Sequence, residues 1–66
     1  MNTNPTIAAI DRLKVKAIEL ANRARVMEQL VLAGDTAGLP LGVEMLRVSV
    51  SAIEFWFAQL EKAQDK

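Results

Sequence analysis

VSVSAIEFWFAQL, Val48 to Leu60, holds one charge, Glu54, and three consecutive rings, Phe55, Trp56 and Phe57. The apolar residues through and around it recur at steps of three and four. Val43, Leu46, Val50, Ile53, Phe57 and Leu60 form a complete heptad seam. Leu41, Met45, Val48, Ala52 and Phe55 form a second apolar row, and Glu44, Arg47, Ser51, Glu54, Ala58 and Glu61 form the polar one. At about 100° per residue, Phe55 stands roughly 160° around the helix from Ile53, with Ala52 and Trp56 in the arc between. An ordinary surface helix needs an apolar stripe of only ~100°, so one neighbouring helix leaves part of this face uncovered.

Upstream of this helix lies the only breaker-rich stretch, Gly34-Asp35-Thr36-Ala37-Gly38-Leu39-Pro40. Before it, Ile10, Leu13, Ala17, Leu20, Ala24, Met27 and Val31 make another unbroken heptad seam, with alanines that admit a closely packed helix. Arg12, Lys16, Glu19 and Arg23 are expected on the opposite, solvated side, with Glu19 paired to Arg23 four residues on. Asn4-Pro5 reads as a helix start, because Asn caps well and Pro suits the first helical position. Gly34 is the natural stop, where a left-handed backbone is needed. The reading is a first helix over about 5–33, a loop over about 34–40 and a second helix over about 41–63. The first would be roughly 40 Å long at 1.5 Å per residue, and the short loop makes the two antiparallel neighbours.

Sixty-six residues make one small domain, residues 1–66. Chains this short are marginal alone and need disulfides, a metal or association. Cysteine and histidine are both absent, so disulfides and the common zinc and haem ligations drop out. At 52% hydrophobic the chain has more apolar surface than a lone hairpin can hide, and the excess is read as interface. Eight acids balance eight bases, unlike a strongly basic nucleic-acid binder. Residues 1–33 are mildly basic and 34–66 mildly acidic, signs that suit paired helices or a symmetric partner. No secretory leader pattern is visible and no apolar stretch approaches the ~20 residues that span a bilayer, so a cytoplasmic location is expected.

Catalysis finds little support. Histidine, cysteine and tyrosine are missing, the carboxylates lie scattered along solvated rows, and the glycines have no phosphate-loop spacing. No enzyme activity, cofactor or metal is expected. The aromatic cluster has two readings: Phe57 in the hairpin seam with Phe55 and Trp56 in a homodimer interface, or an anchor for a foreign protein. The surface assigned to either use is Met45, Val48, Ala52, Phe55 and Trp56. Arg12, Lys16, Arg23 and Arg25 are the candidates for steering an acidic partner.

Two resemblances are carried by particular residues. VSVSAIEFWF, Val48 to Phe57, is similar to the turn and recognition helix of Cro-type helix-turn-helix repressors. Leu46, Val48, Ile53 and Trp56 would pack that motif, with Ser49 and Ser51 at its turn. Arg47 stands where that family has a turn glycine, and Val43 where it has a small residue, while Glu54, Phe55 and Gln59 would face the phosphates. A continuous helix explains the same residues, so this likeness is read as fortuitous. Asn4-Pro5-Thr6-Ile7-Ala8-Ala9-Ile10, a basic helix, a short loop and an apolar helix bearing Trp56 resemble small phage-encoded helical hairpins that block host regulators or absorb defence signals. Members that sequester cyclic nucleotides have acidic and Thr-containing motifs where this chain has Val48-Ser49-Val50-Ser51.

The expectation is therefore an all-α antiparallel two-helix hairpin that pairs into a homodimeric four-helix bundle. It would serve as a non-enzymatic regulator or inhibitor that occupies a partner protein's surface. The alternatives are a helix-turn-helix DNA-binding regulator and a sponge for a small nucleotide signal.

Overall fold

In the computed structural model, which describes residues 4–65, two α-helices pack against each other as an antiparallel hairpin. Helix α1 spans Pro5–Ala33 and α2 spans Leu39–Gln64. Asn4 caps α1, its Oδ1 accepting the Thr6 N–H at 2.8 Å. Gly34 ends α1 at φ 71°, a left-handed conformation that costs any residue with a Cβ. There the Gly34 N–H donates to Val31 O at 3.1 Å and the Asp35 N–H to Leu30 O at 3.0 Å, the paired bonds of a Schellman stop. Asp35 Oδ1 then accepts the Gly38 N–H at 3.1 Å, tightening the turn. Helix α2 starts with Pro40 in its first turn, where no intrahelical N–H is needed.

The helices touch along faces different from the two expected seams. On α1, Ala9, Leu13, Lys16, Leu20, Arg23, Met27 and Leu30 are buried or half-buried, whereas Ile10, Ala17, Ala24 and Val31 are exposed. On α2, Leu39, Gly42, Leu46, Ser49, Ile53, Trp56 and Leu60 turn inward, whereas Val50 and Phe57 are exposed. Each expected seam thus keeps one of its two rows in the contact, Leu13, Leu20 and Met27 on α1 and Leu46, Ile53 and Leu60 on α2. The other contact row on α1 is one residue earlier than predicted. Half of a ~100° residue step is about 50°, so each helix is rotated by that much from a plain two-helix packing of its heptads. The reason is steric. Ala9, Gly42 and Ser49 are small, and a Cβ added to Gly42 would stand 2.8 Å from Met27 Sδ, so the backbones close on small residues.

Three expectations change with this rotation. Trp56, not Phe57, occupies the seam; Phe57 is 52% exposed. Lys16 and Arg23 lie in the contact and not on a solvated back face. Glu19 pairs with Lys16 at 3.3 Å, while Arg23 reaches across to α2. The stretch Val48 to Phe57 is continuous helix, so the turn that a helix-turn-helix motif requires at Ser49 and Ser51 is absent.

The hairpin measures 49 × 16 × 15 Å and exposes 5182 Å². A compact monomer of this mass would expose about 4,200 Å². The excess, roughly 1,000 Å², reflects a core so thin that only Ala9 and Ser49 fall below a tenth of their free exposure among the described residues. Among the described residues, no helix is long and apolar enough to cross a membrane.

Candidate functional site

Three contacts fix the register of the hairpin. Arg12 Cζ lies 5.8 Å from the centroid of the Trp56 ring. Arg23 Nη1 donates to Ser49 Oγ at 2.6 Å and to Met45 O at 3.2 Å. Met27 abuts Gly42. In an antiparallel pair with this register, Ala17 is level with Ile53, Leu20 with Val50 and Ala24 with Leu46, so each of the two alanines is level with a large residue of α2.

The seam has two halves. One is apolar, with Leu13, Leu20 and Met27 against Leu46, Ile53 and Leu60. The other is small or polar apart from Trp56, with Ala9, Lys16 and Arg23 against Gly42, Ser49 and Trp56. Helical periodicity in antiparallel helices then puts two distinct flanks on the molecule. The flank beside the apolar half carries Ile10, Ala17, Ala24 and Val31 from α1 and Val43, Val50 and Phe57 from α2, without a charge among them. Lys14 and Glu28 border it on one side, and Arg47, Glu54 and Glu61 on the other. The flank beside the polar half carries Val26, Met45 and Ala52, and continues onto Leu41, Val48 and Phe55.

The residues singled out from sequence are distributed over this frame. Met45, Val48, Ala52 and Phe55 share the second flank, where all but the half-buried Ala52 are exposed. Trp56 is half-buried between the helices. Phe55 meets it edge-on, ring centroids 5.1 Å apart and planes 88° apart, the geometry that aromatic quadrupoles favour. Arg12 covers the indole from α1, a cation–π contact of about 0.5–1 kcal/mol at an exposed position. Arg12, Lys16 and Arg23 lie along the same flank, all engaged within the chain; Arg25 is exposed on the far side of α1.

Two elements were not read from sequence. One is Ser49, 1% exposed, which seats the guanidinium of Arg23; a lone serine in an apolar row resembles a solvent-facing position until the rotation is known. The other is a cavity of ≈ 330 Å³ lined by Arg23, Val26, Leu30, Gly38, Leu41, Gly42 and Met45. Its lining is apolar apart from the arginine. Among the described residues, no group of three or more acidic side chains is placed to hold a metal ion. What the arrangement offers chemically is apolar surface with a short basic row.

No protein-family model, curated protein or solved structure matched the chain.

Proposed function

We propose that this chain is a small non-enzymatic binding module whose working form is a homodimeric four-helix bundle, and that it regulates or inhibits a partner protein by occupying its surface. One observation carries this reading: both heptad seams are turned by about 50° toward the same flank. In a square bundle, the axis lies about 45° from the line joining neighbouring helices. Heptads centred there serve a four-helix core and not a pair. The uncharged flank supplies that core, with a charged border of mixed sign as its rim. The excess surface of roughly 1,000 Å² compares with the ~800 Å² that each partner buries in a standard interface. Pairing through the opposite flank would instead bring Arg12, Lys16 and Arg23 of two copies together, which like charges disfavour.

Sedimentation equilibrium over a wide concentration range tests the assembly. The mass should be twice that of the chain, and Val50→Glu should give a single-chain mass, since a carboxylate would be buried without a partner. A wild-type monomer at millimolar concentration refutes it. The class of function is tested by melting with duplex DNA and with cyclic nucleotides. Neither should raise the Tm; a rise of several degrees with either one would move the chain to that class.

A further inference from the structure

The flank left open by the proposed dimer is basic along α1. Arg12, Lys16 and Arg23 lie along it; of the nearby acids, Glu19 is held by Lys16 at 3.3 Å and Asp35, beside Gly38 at the turn end of the cavity, accepts the Gly38 N–H at 3.1 Å. Arg23 is half-buried, its Nη1 bound to a hydroxyl and a backbone carbonyl. No carboxylate lies within ion-pair distance of it among the described residues. A guanidinium has five donors in a fixed fork that matches a carboxylate. Next to it opens the ≈ 330 Å³ cavity, with Val26, Leu30, Leu41 and Met45 as walls, at the low end of the range for ligand sites. Leu41 is 68% exposed at its rim, and Val48 and Phe55 extend the apolar strip along α2.

We infer that this flank receives an acidic amphipathic helix from the partner protein, with one bulky apolar side chain seated in the cavity and carboxylates turned toward Arg23, Lys16 and Arg12. The inference rests on the reading of the chain as a protein-binding module. Charge complementarity selects the occupant. A basic helix would meet a row of cations, and a second copy would bring the same cations face to face. The spacing is also definite. Arg12, Lys16 and Arg23 lie four and seven residues apart on one helix, so an antiparallel partner helix matches them with acids at i, i+7 and i+11, which share one face. Apolar residues on the adjoining face cover Leu41, Met45, Val48 and Phe55, the helix-in-groove mode of recognition.

The test uses two synthetic helical peptides free of tryptophan, with identical leucine and phenylalanine positions. One has glutamate at i, i+7 and i+11; the other has lysine there. Each is titrated into the full-length native dimer by calorimetry, with the emission of Trp56, the single tryptophan, as a second readout. The acidic peptide should bind at least tenfold more tightly than the basic one, and Leu41→Glu should weaken it at least tenfold. Arg12→Glu should narrow or reverse the preference. Both positions are exposed; Leu41→Glu should retain the helicity and sedimenting mass of the wild type, and Arg12→Glu, which loses the contact over Trp56, should retain the mass with a lower Tm. Equal binding of the two peptides, no binding of either, or preference for duplex DNA or anionic vesicles over the acidic peptide would overturn the inference. The sedimenting mass reports separately on the dimer, so failure here leaves that reading standing or falling on its own result.

Discussion

Replacing Phe57 with alanine should weaken dimerisation, whereas replacing Phe55 should not. The two rings are a matched pair. They are two residues apart on one helix and comparably exposed in the hairpin, 52% and 55%, but on opposite flanks. Full burial of a phenylalanine side chain contributes about 1.5–3 kcal/mol. Covering the exposed half of Phe57 is then about 1 kcal/mol per ring. Two-fold symmetry counts it twice, so Phe57→Ala should cost the dimer about 2 kcal/mol, roughly thirtyfold in Kd at 1.4 kcal/mol per tenfold. Phe55→Ala loses its edge-on contact with Trp56, about 0.5–1.5 kcal/mol beyond area. That contact is present in the single chain too, so the loss should appear as a lower Tm at every concentration and leave the dimer Kd within about twofold. Sedimentation equilibrium gives the two constants, and circular dichroism against temperature and concentration gives the melting behaviour. Equal effects of the two substitutions on Kd, or a larger effect from Phe55, would refute the assignment of flanks.

Two further outcomes follow from the seam of the hairpin and from its turn. Ser49→Ala removes the acceptor 2.6 Å from Arg23 Nη1; hydrogen bonds to charged groups contribute about 1.5–3 kcal/mol. The retained carbonyl of Met45 and the partial exposure of Arg23 reduce the loss to about 1 kcal/mol, a fall of about 4–8 °C in Tm. An Arg23→Met, Ser49→Ala double-mutant cycle in thermal melts should then show coupling of at least about 0.5 kcal/mol, and strict additivity would deny the bond any energetic role. Gly34→Ala places a Cβ at φ 71° and should lower stability by about 1–2 kcal/mol, read from denaturant midpoints at unchanged slope.

Much of this architecture is legible in the chain itself, for reasons local to it. Asn4-Pro5 and Gly34 mark the ends of α1 because capping and left-handed backbone are properties of single residues and their immediate neighbours. The glycine-rich turn and the two heptad rows define two helices and their antiparallel order. The apolar arc on α2 is wider than one neighbour can cover, which follows from angular spacing alone. Rotation about each helix axis is different. Periodicity shows which rows are apolar, yet a row at Val43, Val50 and Phe57 and a row at Gly42, Ser49 and Trp56 are both at heptad spacing. The choice between them depends on which backbones can approach, and here Ala9, Gly42 and Ser49 decide it by being small. Only once the helices dock does Trp56 turn inward and Phe57 outward. Lys16 and Arg23 then leave the solvated face where their charge would place them. Arg23 finds Ser49, twenty-six residues away, because the register of two packed helices is a property of both together and of neither one alone.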